Sequence, residues 1–133
     1  MSFSFFTLII WCLCIPRQEE QFPKEFRIGS YTYVMSLQKG YNHDDDVHAT
    51  YFVVQKKGGK KHQISSCQTA EHDGNKTIQG GYRITKRFIE FKEIYSNNSI
   101  DSMLKRYYPN KSGNLILTEY TDFKDGKANR THY

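Results

Sequence analysis

From Phe26 onward the apolar positions recur at every second residue. Tyr31, Tyr33, Met35 and Leu37 alternate with Thr32, Val34 and Ser36. Successive side chains of an extended chain point to opposite faces, so this stretch predicts a strand with one face on a core. Residues 51–55, aromatic and β-branched, predict a second strand. Gly58-Gly59 supplies the positive φ angles of a tight turn, and residues 61–66 form the return strand. His72-Asp73-Gly74-Asn75 and Lys124-Asp125-Gly126-Lys127 predict further turns. Residues 76–79 and 82–95 read as extended, with Gly80-Gly81 as a bulge or bend between them.

Two stretches carry both periods. In 87–95, Ile89, Phe91 and Tyr95 share a strand face, while Ile84, Phe88, Phe91 and Tyr95 fit a helical stripe. In 100–108, Ile100, Met103, Leu104 and Tyr107 suit a short helix capped by Ser99, whereas Leu104, Arg106 and Tyr108 alternate. Aromatic and β-branched content favours a strand for the first. The turn cluster 109–114, leading straight into Leu115-Ile116-Leu117-Thr118, favours a hairpin for the second. The expected fold is mainly β: a single antiparallel meander of about seven strands, forming a small barrel or a two-layer sheet, with at most one short helix. The phrase Arg106 to Leu115 followed by Phe123-Lys-Asp-Gly-Lys resembles one hairpin of the MORN-like repeats. It occurs in a single copy, and such arrays work by stacking several.

Ahead of this pattern stands FSFFTLIIWCLCIP, residues 3–16, apolar and uncharged, ended by Arg17-Gln18-Glu19-Glu20-Gln21. A bilayer-spanning helix needs roughly 20 apolar residues. A run of about 14 suits the hydrophobic part of a secretory signal, although no Lys or Arg precedes it. Residues 1–16 are therefore expected to be a signal or lipoprotein leader and 17–25, which carry Pro23, a polar tether to a β domain over 26–133. Cys12 and Cys14 suit either a small-x-small cleavage site or lipid attachment, the latter anchoring the chain to a membrane. The expected location is exported: periplasm, outer envelope or extracellular space.

A domain of that size can bury one core without staples. The ten Tyr and nine Phe can fill it, and they argue against disorder. The formal charge of +5 raises nucleic acid or anionic lipid as partners. The positive charge is scattered apart from Lys56, Lys57, Lys60 and Lys61, which read as a solvated hairpin tip. No nucleic-acid-binding module is recognisable, so nucleic acid is not an expected partner. Cys67 stands alone beyond the leader, so the fold is not a disulfide scaffold. With Ser65, Ser66 and Gln68 beside it, no charge activates the thiol, which reads as packed in a strand.

Candidate chemistry is sparse. The chain has no Gly-x-Ser-x-Gly elbow, no His-Glu-x-x-His and no phosphate loop. Glu90 and Glu93 read as cross-strand ion-pair partners on a wet face. The segment Asn42-His43-Asp44-Asp45-Asp46-Val47-His48 holds imidazole and carboxylate. Asp44, Asp46 and His48 would share a side if extended, and are the candidate ligands for a divalent metal. The plainer reading is an acidic loop that blunts a sheet edge. Tyrosines on an open sheet face would make a recognition surface. The expectation is a non-enzymatic envelope protein that binds a protein or a small ligand through its sheet. A metal-dependent protein using residues 42–48, and a cytosolic module binding anions or nucleic acid, are the alternatives.

Overall fold

The computed structural model describes residues 20–58, 62–96 and 100–133. The leader with Cys12 and Cys14, the turn residues Gly59, Lys60 and Lys61, and Asn97-Asn98-Ser99 lie outside them. The described residues form nine strands: β1 (Lys24–Ile28), β2 (Tyr31–Asn42), β3 (Val47–Lys56), β4 (Gln63–His72), β5 (Asn75–Ile84), β6 (Ile89–Tyr95), β7 (Ser102–Pro109), β8 (Leu115–Lys124) and β9 (Lys127–His132). Each pairs antiparallel with the next in one sheet, in the order of the chain.

The meander is as expected, but the strands number nine rather than about seven. β1 starts inside the stretch read as the end of the tether. Phe26 and Ile28 alternate with Glu25 and Arg27, and they pack into the core. Residues 75–95 hold two strands whose boundary carries no Gly, Pro, Asn or Asp. Instead Thr85 makes the turn. Its Oγ1 accepts from Arg87 N at 3.2 Å and Phe88 N at 3.0 Å, and its own N–H donates to Phe88 O at 2.9 Å. Gly80-Gly81 lies within β5 and pairs with Glu93 and Lys92. Both two-period stretches are strands, locked by Ile89↔Tyr107 through Ile94↔Ser102, and no helix occurs among the described residues.

The sheet curls without closing, since β1 and β9 do not pair. Three bulges add bend and twist. They leave Gln68, Thr77 and Thr118 unmatched in β4, β5 and β8. In a meander alternate turns fall at the same end. The turns β1–β2, β3–β4, β5–β6 and β7–β8 gather, and loop contacts tie that end together. Tyr33 Oη donates to Gly113 O at 2.6 Å, Lys56 Nζ to Ser112 O at 2.9 Å and His62 Nε2 to Leu115 O at 2.9 Å. Gly29 N donates to Lys86 O at 3.1 Å. Tyr33, Met35, Phe52, Val54, Ile64, Ile89, Phe91, Tyr107 and Leu115 fill the concave face at this tied end. Each such side chain contributes roughly 1.5–3 kcal/mol of burial.

The convex face of β5–β9 carries a ladder of opposite charges, one residue per strand. Arg83 and Glu90 stand 3.2 Å apart, Arg106 and Glu90 2.8 Å, Arg106 and Glu119 3.1 Å, and Arg130 and Glu119 3.3 Å. The Arg106 guanidinium also lies 4.2 Å from the Phe88 ring centroid. Glu90 thus takes the expected cross-strand partners. Glu93, an odd number of residues away, faces the other side and is buried.

Candidate binding site at the open end of the sheet

Polar groups outside the apolar core fall into two sets, one satisfied internally and one not. The satisfied set centres on Glu93. Oε1 accepts from Ser66 Oγ at 2.7 Å and from Cys67 N at 2.9 Å, and Oε2 accepts from Tyr95 Oη at 2.5 Å. Lys105 Nζ stands 3.9 Å away. Desolvation pushes the Glu93 carboxyl up, but these hydrogen bonds and the Lys105 charge outweigh it, so its pKa lies below the usual value. Burial, and then the hydrogen bond to Glu93, push the Tyr95 phenol far up. Cys67 is buried, and desolvation followed by the Glu93 charge pushes its thiol up to about 11. A thiol held neutral is a poor nucleophile. The set is therefore a structural strut joining β4, β6 and β7.

The acidic turn joins β2 to β3. Asp44 N donates to Asn42 Oδ1 at 3.0 Å, an Asx turn that shapes the loop. Asp46 sits at φ 49° and accepts from Tyr41 Oη at 2.7 Å. Its Oδ1 stands 3.8 Å from His48 Nε2, and the His48 ring stacks on Tyr41 with centroids 4.3 Å apart. Asp46 and His48 are thus brought together while Asp44 serves the turn. No three His, Cys, Asp or Glu side chains among the described residues are arranged to hold a metal ion. Of the hairpin lysines, Lys56 reaches Ser112 and the Tyr31 ring, and Lys57 pairs with Glu25 at 2.9 Å.

The unsatisfied set lies where β2, β3 and β4 reach the open end. The register places Lys39 beside Thr50 and Thr50 beside Thr69. The next row holds Tyr41, His48 and Glu71. Between these rows is an open depression of about 270 Å³ lined by Lys39, Gly40, His48, Ala49, Thr50, Thr69 and Glu71. Gly40 and Ala49 stand between the two rows, so their backbone forms the floor and their side-chain positions face the other side of the sheet. Neither the Lys39 ammonium nor the Glu71 carboxylate has a hydrogen-bond or ion-pair partner among the described residues, nor do the two threonine hydroxyls. Exposed Leu37 and Tyr41 follow the same alternation on β2. Of these residues the sequence pointed only to His48. The others come from three strands and meet only through pairing, so no local motif signals them.

No family model, curated protein or solved structure matches the chain.

Proposed function

We propose that this protein is a non-enzymatic, exported or lipid-anchored component of a bacterial envelope that binds a small ligand on the surface of its sheet, in the depression between β2, β3 and β4. One observation carries the reading. The buried polar groups around Glu93 are consumed by one another, whereas Lys39, Glu71, Thr50 and Thr69 line a depression with their polar ends free among the described residues. Such groups gain hydrogen bonds from a ligand without giving up any inside the protein. The depression, about 270 Å³, is close to the roughly 300 Å³ that marks the small end of ligand sites. Export rests on the length and flanks of residues 3–16.

Amide chemical-shift mapping with a panel of small polar solutes (sugars, carboxylates, amines, amino acids, peptides and divalent metal salts) tests the binding reading. Shifts should concentrate at residues 39–40, 48–50 and 69–71. A panel that moves none of them at tens of millimolar removes the site. Fractionation of tagged full-length chain tests location, and recovery in the cytosol alone removes export.

A further inference from the structure

The depression is polarised along the strands, and this bears on what it holds. One row presents the Lys39 ammonium with the hydroxyls of Thr50 and Thr69, which together form a donor set for an anion. The neighbouring row presents the Glu71 carboxylate beside His48. The ring of His48 is backed by Tyr41 and by the Asp46 carboxylate. Carboxylates and an aromatic face suit an ammonium group. Two opposite charges face one concavity, and no ion pair joins them.

We propose that the depression takes a small zwitterion of dipeptide length, its carboxylate on the Lys39–Thr50–Thr69 row and its ammonium on the Glu71–His48 row. This rests on the binding reading above and names the ligand class for that same site. Length follows from the sheet. Same-face rows are two residues apart along a strand, or roughly 6.6 Å. A free α-amino acid separates its charges by about one residue, roughly 3.5 Å, and an extended dipeptide by about two, roughly 7 Å. Volume agrees, because about 270 Å³ holds a dipeptide of small residues.

Chemical-shift titration of the full chain with three probes decides it: glycylglycine, N-acetyl-glycylglycine, which lacks the ammonium, and glycylglycinamide, which lacks the carboxylate. Glycylglycine should saturate shifts at residues 39–40, 48–50 and 69–71, with at least fivefold lower Kd than either blocked form. Lys39→Gln should weaken glycylglycine to the level of the amide while leaving the amide's own affinity unchanged. Glu71→Gln should do the same relative to the acetylated form. Neither side chain has a structural partner, so both variants should keep the wild-type spectrum elsewhere. Equal binding of the three probes, or no binding by any of them while another solute of the panel shifts the same residues, overturns the zwitterion and leaves the binding reading standing. A panel that shifts nothing there overturns both.

Discussion

Replacing Glu93 tests whether one buried carboxylate pins three strands. Glu93 is 5 % exposed, and its carboxylate accepts three hydrogen bonds, from Ser66, Cys67 N and Tyr95. In Glu93→Ala the two hydroxyls can rotate toward other acceptors, but the Cys67 N–H is fixed in the sheet and loses its acceptor. One stranded buried donor costs about 1–3 kcal/mol, and losing the charge-assisted bonds from the hydroxyls adds to it. The sum should reach about 3–5 kcal/mol, the range found when one partner of a buried polar set is removed. At about 4 °C per kcal/mol, a domain of this size would lose roughly 12–20 °C in Tm. Glu93→Gln keeps the shape and one carbonyl acceptor, and should lose about 1–3 kcal/mol at neutral pH.

Acid separates charge from shape. The Glu93 pKa is lowered in the folded protein from the ordinary 4.5. Its contribution is then fully present above about pH 4.5 and is lost as pH falls through the lower folded value. The stability gap between wild type and Glu93→Gln, measured by urea unfolding, should be flat from pH 8 to about 5.5 and narrow below 4.5. Taking the difference cancels the other carboxylates. A gap that widens in acid, or a Glu93→Ala variant within 1 kcal/mol of wild type, refutes the strut.

Three further outcomes follow from single contacts. A Cβ on Gly80 would lie 1.9 Å from the Cys67 carbonyl oxygen, a clash of backbone with backbone, while one on Gly81 would meet nothing within 4 Å; Gly80→Ala should cost about 3 kcal/mol or more and Gly81→Ala under about 1 kcal/mol, read by chemical denaturation. Peptide-mapped alkylation at pH 7.5 should modify Cys67 at least a hundredfold more slowly in the folded chain than in urea, because the thiol is buried with its pKa near 11; comparable rates would disprove that burial. Thr85→Val removes the oxygen that accepts from Arg87 N and Phe88 N and should cost about 1–2 kcal/mol, with amide exchange at Arg87 and Phe88 accelerated.

The alternation of β2, the Asp-Gly turns and the mainly β class were legible because each is a local signal. Asp73-Gly74 and Asp125-Gly126 take φ values of 51° and 79°, and 50° and 77°, as such hairpins require. The Thr85 turn was not legible, because a side-chain oxygen does there what Gly or Asn usually does. The strand character of 102–109 was legible only from the turn cluster that follows it, because helical and alternating patterns coexist within the stretch and pairing with β6 and β8 decides. Glu93 looked like Glu90, three positions apart in the same charged stretch. Their opposite fates follow from parity, since an odd separation sends one to the core and the other to the ladder of Arg83, Arg106 and Glu119. Closure was beyond reach for a different reason. A barrel, a sandwich and an open curl share one period, and the bulges at Gln68, Thr77 and Thr118 that bend this sheet leave no trace in hydrophobicity.

An open curl has two consequences that a closed barrel lacks. The first is two edges unpaired among the described residues, and both are charged: Lys24, Glu25 and Arg27 on β1, and Lys127 and Arg130 on β9, whose residues are all exposed. Charge at an edge opposes pairing with another chain, so the sheet can remain open without polymerising. The second is that the two ends differ. Large aromatics and the loop hydrogen bonds to Ser112, Gly113 and Leu115 draw one end together, and the core lies there. Strands tied at one end and unpaired across the seam are free to diverge at the other, where the buried cluster is small: Ala49, Cys67 and Ala70, with Val47 and Ile78 against them. Polar groups at that end are needed neither for the core nor for the ladder. Lys39, Thr50, Thr69 and Glu71 can therefore change with modest effect on folding, and their exchange should alter what the protein binds far more than how stably it folds.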